Sequence, residues 1–402
     1  MASVSTSRTW ITPDEARRIT RAELAVLPAL PTPLDALLGR ILAEPIAAAE
    51  DLPVFANSAM DGYAIIAADV ASAPVSLRVV GEVASGQVSE RPLHRGEAAR
   101  IMTGVALPAG ADAVVRVEDT SETGSVVEIR AIARAGDNVR PAGEDFKRGD
   151  TGLDPGIMLT PARVGALAAL GRTSALAIRP ARVAILATGN ELIEPDAPLL
   201  PGKVRNSNAH ALIAQVLEAG AVPIPLGVAP DDFERTVERV EAALDLADVL
   251  VTSGGVSMGR HDHVGKAFGK LGEVLFTAVA QMPGKPLTFA RIFGKPVFGL
   301  PGNPVSTVIN FELYVRPVLR LLMGHESLDR PRMRLPLGEA IKVPADKDLY
   351  SRVMVRNGKL ELTGPQGSGL WQSLARADGL AILAAGSGEV PAGTAVDFLP
   401  LQ

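Results

Sequence analysis

Val249-Leu-Val-Thr-Ser-Gly-Gly255 is the stretch of this sequence that decides the fold. Three apolar residues and a threonine run directly into Ser253 and two glycines, which is the pattern of a buried strand whose C-terminal end opens into a loop. Because Gly254 and Gly255 lack Cβ atoms, the loop can bring its backbone N–H groups close to a bound anion. The alternative is a tight turn that binds nothing.

The residues that follow this loop add groups suited to binding ions. Asp262 is a carboxylate beside the loop, so an anion and a divalent cation can share one crevice. His261 and His263 flank Asp262 and leave zinc as an alternative metal, although alternate residues of a loop often point to solvent. Glycine- and proline-rich turns further along carry Lys285 and Asn303. The position of Lys285 between two prolines favours a fixed anion contact over an exposed turn.

The preceding segment repeats the combination of a strand with a polar end. Arg182-Val-Ala-Ile-Leu-Ala187 predicts a buried strand, and Thr188-Gly-Asn-Glu191 follows it. Helical patterns at about 208–218 and 233–244 enclose a strand pattern at 222–226, which two prolines predict to be short or to lie at a sheet edge. This alternation predicts a doubly wound parallel sheet, whose ligands bind beyond the carboxyl ends of the strands. Glu191 and the glycine loop are therefore expected in one crevice.

The rest of the sequence predicts helices and two β-rich regions. Two capped helix starts are predicted at Thr12-Pro13 and at Thr32-Pro33, the second with an apolar stripe that ends at Ile41. A hairpin is predicted around 293–295 and a long helix over 305–323. The predicted fold is a multidomain α/β protein with an elongated linker domain (1–50 and 140–178), an inserted β-rich domain (51–139), an α/β domain (179–326) and a C-terminal β domain (327–402).

Composition limits the classes of function. The chain has 402 residues, 47% hydrophobic and 21% charged, as in a globular protein of several domains. Its net charge of −5 without a Lys/Arg-rich run argues against nucleic acid, and 4% aromatic residues argue against base-stacking surfaces. The absence of cysteine excludes disulfides, thiolate zinc sites and thiol catalysis. Without an apolar run of membrane-spanning length or an apolar N-terminal segment, we expect a cytoplasmic protein with no membrane partner.

Six motifs follow one another along the chain: Asn57-Ser-Ala-Met-Asp-Gly-Tyr-Ala64, Ile101-Met-Thr-Gly104, Thr188-Gly-Asn-Glu-Leu192, Ser253-Gly-Gly-Val-Ser257, Pro283-Gly-Lys-Pro286 and Leu300-Pro-Gly-Asn-Pro304. In this order they resemble the molybdopterin molybdenumtransferase family of the MoeA type, which includes the E domain of gephyrin. The resemblance covers nearly the whole chain and implies insertion of molybdate into adenylylated molybdopterin with release of AMP, in molybdenum cofactor biosynthesis. It further implies Mg2+ or another divalent cation, an upstream adenylyltransferase, and an elongated homodimer whose composite sites join the inserted domain of one subunit to the α/β domain of the other.

The resemblance also implies roles for individual residues. A metal with hard oxygen ligands, together with glycine-loop N–H groups, would bring together an adenylate and a molybdate that repel each other. Asp61 and Asp231 have structural alternatives, in an Asp-Gly turn and in a helix cap that Glu234 would complete. The implied catalytic residues are Asp61, Thr103, Asp145, Glu191, Asp231 and Asp262, with Glu191 and Asp262 as metal ligands. The implied substrate-binding residues are Gly254, Gly255, Ser257, Lys285, Pro301, Asn303, Arg140, Arg352 and Ser368.

The sequence departs from the family pattern at positions that would bind anions. Ala278 and Met282 stand where many members carry basic residues, Asn190 stands for a common aspartate, and Arg140 is what remains of an arginine cluster. The loss of two positive charges is expected to weaken the attraction of molybdate. Three other cations can offset this loss: Lys285, Arg260 and Arg205.

Two other functions are therefore compatible with the sequence. One is a pterin adenylyltransferase of the related single-domain type, which would explain the α/β domain but leave the inserted and C-terminal domains without a role. The other is a non-catalytic, molybdopterin-binding or scaffold protein that uses the same fold. The acidic residues Asp61, Glu191 and Asp262 argue against the second alternative, whereas Ala278 and Met282 keep it open.

Overall fold

The computed structural model describes residues 10–255 and 263–401, and these form two compact units. The first unit comprises the residues up to Leu30, Gly39–Ile41 and the chain from Ala177 onward. The second comprises Pro31–Leu38 and Leu42–Leu176. The finer division into four domains stays a prediction.

The first unit is built on a six-stranded sheet in which Val249–Ser253 is an inner strand. The four strands Val222–Ala229, Arg182–Thr188, Val249–Ser253 and Lys295–Leu300 are parallel to one another. Pro286–Ile292 runs antiparallel to both of its neighbours. The predicted hairpin accounts for this mixed sheet, because a short turn can only join antiparallel strands. The edge position predicted for the proline-containing strand is confirmed. The strand order is Val222–Ala229, Arg182–Thr188, Val249–Ser253, Lys295–Leu300, Pro286–Ile292 and Glu273–Ala278.

Both faces of this sheet are buried, which explains its continuous apolar strands. Val183 and Ile185 belong to one core with the helix Ser207–Glu218, and the alternate residues of the same strand belong to a second core with the helix Phe233–Leu246. Successive side chains of a strand point to opposite faces, so helices lie on both sides. The doubly wound architecture is confirmed.

The long helix predicted after Asn303 is present but interrupted. Pro304–Asn310 and Arg316–Leu322 are α-helical, and Phe311–Val315 between them is a π-helical turn. Pro317 accounts for the interruption, because proline lacks the N–H of a regular helix and its ring displaces the carbonyl four residues earlier.

The helix predicted from Thr32 to Ile41 was wrong. The structure has one 3₁₀ turn, Leu34–Ala36, after the strand Ala29–Pro33. Prolines at 31 and 33 favour extended backbone before the turn, and Gly39 has a φ of +77° that ends any helical continuation. Leu37 is fully buried while Leu38 is 65% exposed, so these leucines do not form one helical face.

The second unit contains another six-stranded sheet, as the alternating pattern predicts. Gly62 begins an inner strand, and a Cβ atom there would lie 1.9 Å from the Val115 carbonyl oxygen. The glycine after Asp61 is therefore required by the close approach of a neighbouring strand, and the Asp-Gly turn is wrong. The strand order is Ala113–Arg116, Gly62–Ile65, Glu97–Ile101, Val75–Val83, Val126–Ile129 and Thr120–Thr123.

The C-terminal part of the first unit forms a further sheet. Gln281–Met282 adds to its edge, parallel to Asp348–Arg356, so this small β region takes a strand from the preceding α/β part. The other strands in order are Gly379–Leu383, Ala395–Pro400 and Met333–Pro336, with Lys359–Leu362 paired to Asp348–Arg356.

Shorter elements complete the described chain. None of the helices in the described ranges is long and apolar enough to span a membrane. The remaining helices are Pro13–Arg21, Pro161–Ala169, His263–Leu271 and Trp371–Ala375, with 3₁₀ turns at Ala67–Asp69 and Val117–Asp119. The remaining strands are Ile46–Ala47, Asn57–Ser58, Val139–Arg140, Thr151–Leu153, Ser174–Ile178, Leu192–Ile193, Val204–Arg205, Ile341–Lys342 and Glu389–Val390.

Candidate functional site

A cleft of about 990 Å³ lies at the carboxyl ends of Arg182–Thr188 and Val249–Ser253, where the sequence predicts one. It brings Glu191, Asp231 and the glycine loop together within the first unit. Its lining residues are Thr188, Gly189, Glu191, Leu192, Leu199, Lys203, Val204, Arg205, Asn206, Ser207, Asn208, Asp231, Ser253, Gly254, Gly255, Pro286, Pro301, Gly302, Asn303, Pro304, Gly369 and Trp371.

The glycine loop packs tightly against Thr188. Gly254 has a φ of +94°, and a Cβ atom on it would lie 2.5 Å from the Thr188 carbonyl oxygen. Gly255 has a φ of +67°, and its Cβ atom would lie 2.7 Å from Val264 Cγ2 and 2.8 Å from Thr188 Oγ1. The Gly254 N–H donates to the Leu300 carbonyl at 3.0 Å, so this amide belongs to the sheet and not to an anion-binding set. Glycine is required here by close packing as well as by backbone conformation.

Glu191 lies on the cleft wall in a folded-back conformation. Its carboxylate oxygens are 2.6 Å from the place where a Cβ atom on Gly189 would stand. The Glu191 carbonyl accepts a hydrogen bond from the Val204 N–H at 2.9 Å, which ties the residue to the small ladder Leu192–Ile193 and Val204–Arg205. The side chain is exposed, so its charge is available to a ligand in the cleft.

Asp231 also lines the cleft, and the helix-cap interpretation of this residue was wrong. Asp232 is the N-cap of Phe233–Leu246, and its side chain accepts from the Arg235 N–H at 2.9 Å. Asp231 instead accepts from the Asn190 N–H at 3.2 Å, and its own N–H points to Asn190 Oδ1 at 3.4 Å. The neutral Asn190 therefore positions Asp231 without placing a further carboxylate beside it.

Lys203 and Arg205 are the cationic side chains of the described cleft lining. Lys203 Nζ donates to the Asn190 carbonyl at 2.8 Å, and Arg205 Nε donates to the Pro195 carbonyl at 3.0 Å. Both side chains are exposed and line the cleft. The position of Arg205 is compatible with the expectation that it offsets the missing positive charges at 278 and 282. Lys203 is a further cation, which the sequence patterns did not identify.

Lys285 occupies a different place. Its Nζ lies over the Trp10 ring, 4.1 Å from the ring centroid, and Lys347 Nζ lies 5.5 Å from the same centroid. Lys285 is not a lining residue of the cleft, whereas the next residue, Pro286, is. The anion contact assigned to Lys285 stays a prediction for this separate position.

Buried side-chain amides hold the backbone of the loop that carries Lys285. Asn310 Nδ2 donates to the carbonyls of Gly284 and Pro286, at 3.2 and 3.1 Å, and Gln281 Nε2 donates to Asn310 Oδ1 at 2.8 Å. Gln281 and Asn310 are fully buried. Such satisfied buried networks rigidify the backbone that they hold, which sets the position of Pro286 on the cleft wall.

Two predicted substrate-binding residues of the C-terminal region lie behind the cleft. Arg352 is fully buried, and burial lowers the pKa of its guanidinium. Its Nε donates to Ser373 Oγ at 2.9 Å and its Nη2 to the Gly367 carbonyl at 3.1 Å. The Ser368 carbonyl accepts from the Val305 N–H at 3.1 Å. These contacts support the cleft wall at Gly369.

The second unit holds a separate polar centre at Asp61. Its Oδ1 accepts from the Thr103 N–H at 2.7 Å and from Thr103 Oγ1 at 2.8 Å. The backbone hydrogen bond from Thr103, followed by the hydroxyl bond, lowers the pKa of Asp61 below its ordinary value. Both residues are exposed. The two motifs that contain them are therefore joined as one anionic centre.

The remaining predicted residues of this unit are also exposed. Arg140 pairs with Asn57 in a two-stranded ladder, and the Asp145 N–H donates to the Leu52 carbonyl at 2.9 Å. The side chains of Arg140 and Asp145 face solvent and not a core, as ligand-binding groups would. Ser257, Arg260, His261 and Asp262 lie outside the described residues.

Thr103→Val should raise the pKa of Asp61 only part of the way to its ordinary value, about 3.9. Valine removes the hydroxyl donor but keeps the backbone N–H, which is the larger cause of the shift. Because the folded pKa is depressed, the contact with the carboxylate exists above the ordinary value and is lost as pH falls through the folded pKa. A carbon-detected NMR titration of the Asp61 carboxyl measures this. An unchanged pKa would show that the hydroxyl is not a donor.

Sequence patterns missed several lining residues. Asn208 Nδ2 donates to Ser253 Oγ and to the Gly302 carbonyl, both at 2.9 Å, and so joins two walls of the cleft. Trp371 lines the cleft although the low aromatic content argued against such a surface. Asn208 lies on a helix face and Trp371 in a separate region of the chain, so no local spacing connects them to the glycine loop.

Three known families match successive parts of the chain. Residues 11–171 match the MoeA N-terminal region (domain I and II), residues 184–321 a probable molybdopterin binding domain, and residues 334–401 the MoeA C-terminal region (domain IV). The chain is 38% identical over 382 residues to the molybdopterin molybdenumtransferase of Bacillus subtilis (strain 168), which covers 92% of this chain and 89% of that protein. It is 37% identical over 392 residues to molybdopterin molybdenumtransferase 2 of Mycobacterium tuberculosis (strain ATCC 25618 / H37Rv), with 94% and 97% covered.

Solved structures agree with these matches. Two crystal structures of a molybdopterin biosynthesis MoeA protein from Pyrococcus horikoshii superpose with TM-scores of 0.82 and 0.81, at 31% and 28% identity. Each alignment covers 98% of this chain and 100% of the other. The matches span all the motifs that form the cleft and the Asp61 centre. The sequence and structure matches together show that the chain belongs to the MoeA family of molybdopterin molybdenumtransferases.

Proposed function

We propose that this protein acts in molybdenum cofactor biosynthesis as a molybdenumtransferase, which inserts molybdate into adenylylated molybdopterin with release of AMP. The observation that carries the proposal is the cleft, where Glu191 and Asp231 lie beside a glycine loop, in a chain of which 92% aligns with a molybdopterin molybdenumtransferase. Lys203 and Arg205 supply the positive charge that a phosphate-bearing substrate needs.

The test is an insertion assay with the purified protein, adenylylated molybdopterin and molybdate. AMP release and molybdenum bound to the pterin are measured together, with and without molybdate. Formation of both products only with molybdate supports the transferase. Release of AMP without bound molybdenum would contradict the transferase and indicate hydrolysis of the adenylate. Tight pterin binding with neither product would contradict it and favour a binding protein.

Magnesium or another divalent cation is part of this proposal. Within the described ranges, no group of three His, Asp or Glu side chains is placed to hold a metal. Mg2+ usually keeps several waters and uses one or two carboxylates together with substrate phosphates, so Glu191 and Asp231 fit it as donors. Asp262, which lies outside the described residues, is the other carboxylate that we propose as a ligand. The cation would neutralise phosphate charge, while the carboxylates and Lys203 orient the substrate.

We further propose a homodimer with composite sites, since the motifs are divided between the two units. Exposed apolar side chains lie beside Asp61 and Thr103, and groups of exposed apolar side chains are typical of interfaces. Met60 and Met102 directly precede Asp61 and Thr103 in the chain, and the Val117 N–H donates to the Asp61 carbonyl at 3.1 Å. The side chains of Met60, Met102 and Val117 are 43%, 41% and 42% exposed.

Mixing two inactive variants tests the composite site. Asp61→Asn and Glu191→Gln subunits should each be inactive alone, and an equal mixture after subunit exchange should recover about one quarter of wild-type activity, since half of the dimers then contain one intact site. A mixture of Glu191→Gln with Asp231→Asn is the control, because both changes lie in the first unit and no intact site can form. Equal recovery in both mixtures, or a fully active monomer in sedimentation, would contradict the proposal.

The absence of basic residues at positions 278 and 282 does not remove the positive charge that lines the cleft. Ala278 is 5% exposed and pairs with Pro286 in the sheet, whereas Met282 is 44% exposed. Neither residue lines the cleft. The cations of the cleft lie on a different segment, so the loss of basic residues at 278 and 282 leaves Lys203 and Arg205 in place.

A further inference from the structure

Trp371 is the aromatic member of the described cleft lining. It is half-buried and begins the short helix Trp371–Ala375. The chain contains only two tryptophans and 4% aromatic residues, so an aromatic side chain in this cleft is not a consequence of composition.

The orientation of the indole ring is fixed. Trp371 Nε1 donates to Ser207 Oγ at 3.0 Å, and Ser207 is the first residue of the helix Ser207–Glu218 and itself lines the cleft. Since indole has one polar hydrogen and Ser207 accepts it, the ring presents only carbon and π-surface to a ligand.

Hydrogen bonds from buried polar groups hold the helix that carries Trp371 in place. Ser373, two residues further on, is 4% exposed and receives a hydrogen bond from Arg352 Nε at 2.9 Å. Thr363 Oγ1 lies 2.6 Å from the same Ser373 oxygen. Arg352 also binds the Gly367 carbonyl, in the loop that leads to Trp371. The fully buried Arg352 is thus a positioning residue for the indole.

We propose that Trp371, locked by Ser207, is the specificity-determining platform on which a fused-ring heterocycle of the substrate stacks. This inference rests on the proposed function, which supplies two such heterocycles, the pterin and the adenine of the adenylylated substrate. Adenine is a flat aromatic heterocycle, and the reduced pterin of molybdopterin keeps a planar pyrimidine ring, so each offers a π-face with a polar edge to an aromatic side chain. The experiment distinguishes the two sources.

The test uses the intact protein with AMP and 6-hydroxymethylpterin as separate probes. Trp10→Phe leaves Trp371 as the only tryptophan, and its fluorescence is followed as each probe is added. Affinities are measured by calorimetry for the wild type, Trp371→Ala, Trp371→Phe and Ser207→Ala. Phe293→Ala is the matched control, because Phe293 is a 65% exposed aromatic residue outside the cleft lining.

We expect Trp371→Ala to weaken one probe by roughly 10- to 100-fold, in line with base–aromatic stacking, and Trp371→Phe to weaken it less. The probe affected identifies the stacked ring. Ser207→Ala should weaken the same probe without removing the indole. The Trp10→Phe variant should lose Trp371 fluorescence at the concentrations at which the probe binds, and Phe293→Ala should keep wild-type affinity.

Equal affinities of the wild type, Trp371→Phe and Ser207→Ala for both probes would overturn the proposal, even if Trp371→Ala fails to fold. Absence of any Trp371 fluorescence response to bound probe would do the same. These readouts require no turnover, so they separate this inference from the proposed function. A protein that inserts molybdenum but binds both probes independently of Trp371 refutes the inference alone, and the reverse result refutes the proposed function alone.

Discussion

Glu191→Gln is expected to lower the rate of molybdenum insertion by about 100-fold or more while leaving the thermal midpoint unchanged. The substitution keeps the size of the side chain and removes its charge. Glu191 lines the cleft, is exposed and makes no ion pair in the described part of the chain, so folding does not depend on its charge. A ligand or cation held by that carboxylate would lose a contact that is strongest in the transition state.

The matched control is Asp196→Asn. Asp196 is an exposed acid of the same chain segment and does not line the cleft, so its loss changes the net charge equally. Steady-state insertion rates at saturating substrate are compared with Mn2+ affinity measured by electron paramagnetic resonance. A Glu191→Gln enzyme with wild-type turnover and wild-type Mn2+ affinity would remove Glu191 from the site.

The framework of this site could be predicted from local sequence. An apolar strand followed by glycines specifies where a buried strand ends, and two such strands at 182–188 and 249–253 end at one edge of a sheet. Glu191 and Gly254 therefore meet as expected. The residues lie far apart in the chain, but the topology of parallel strands relates them.

Other features depend on contacts that no local pattern encodes. Asp231 and Asp232 are chemically identical, and only the position of Asn190 on a neighbouring loop leaves Asp231 in the cleft while Asp232 caps the helix. The helix predicted after Thr32 failed for a related reason, because prolines 31 and 33 favour extended backbone as well as helix starts. Trp371 belongs to the C-terminal region and does not follow a strand of the α/β sheet. The rule that ligands bind at the carboxyl ends of parallel strands therefore does not predict it.

Gly254→Ala is expected to destabilise the first unit by about 2–5 kcal/mol, because two costs coincide. The φ of +94° disfavours any residue with a Cβ atom, and that atom would lie 2.5 Å from the backbone oxygen of Thr188. Backbone in a buried strand cannot move aside as a side chain can. Calorimetric unfolding of the purified variant measures the loss.

Two neighbouring glycines give a graded comparison for that measurement. Gly255→Ala should cost less, about 1–3 kcal/mol, since φ is +67° and the atoms it approaches belong to the side chains of Val264 and Thr188. Gly302→Ala should leave the unfolding transition nearly unchanged, because the atom nearest to its Cβ position is Gly254 Cα at 4.0 Å. If Gly254→Ala were no more destabilising than Gly302→Ala, the glycines of the loop would be needed for ligand approach and not for packing against Thr188.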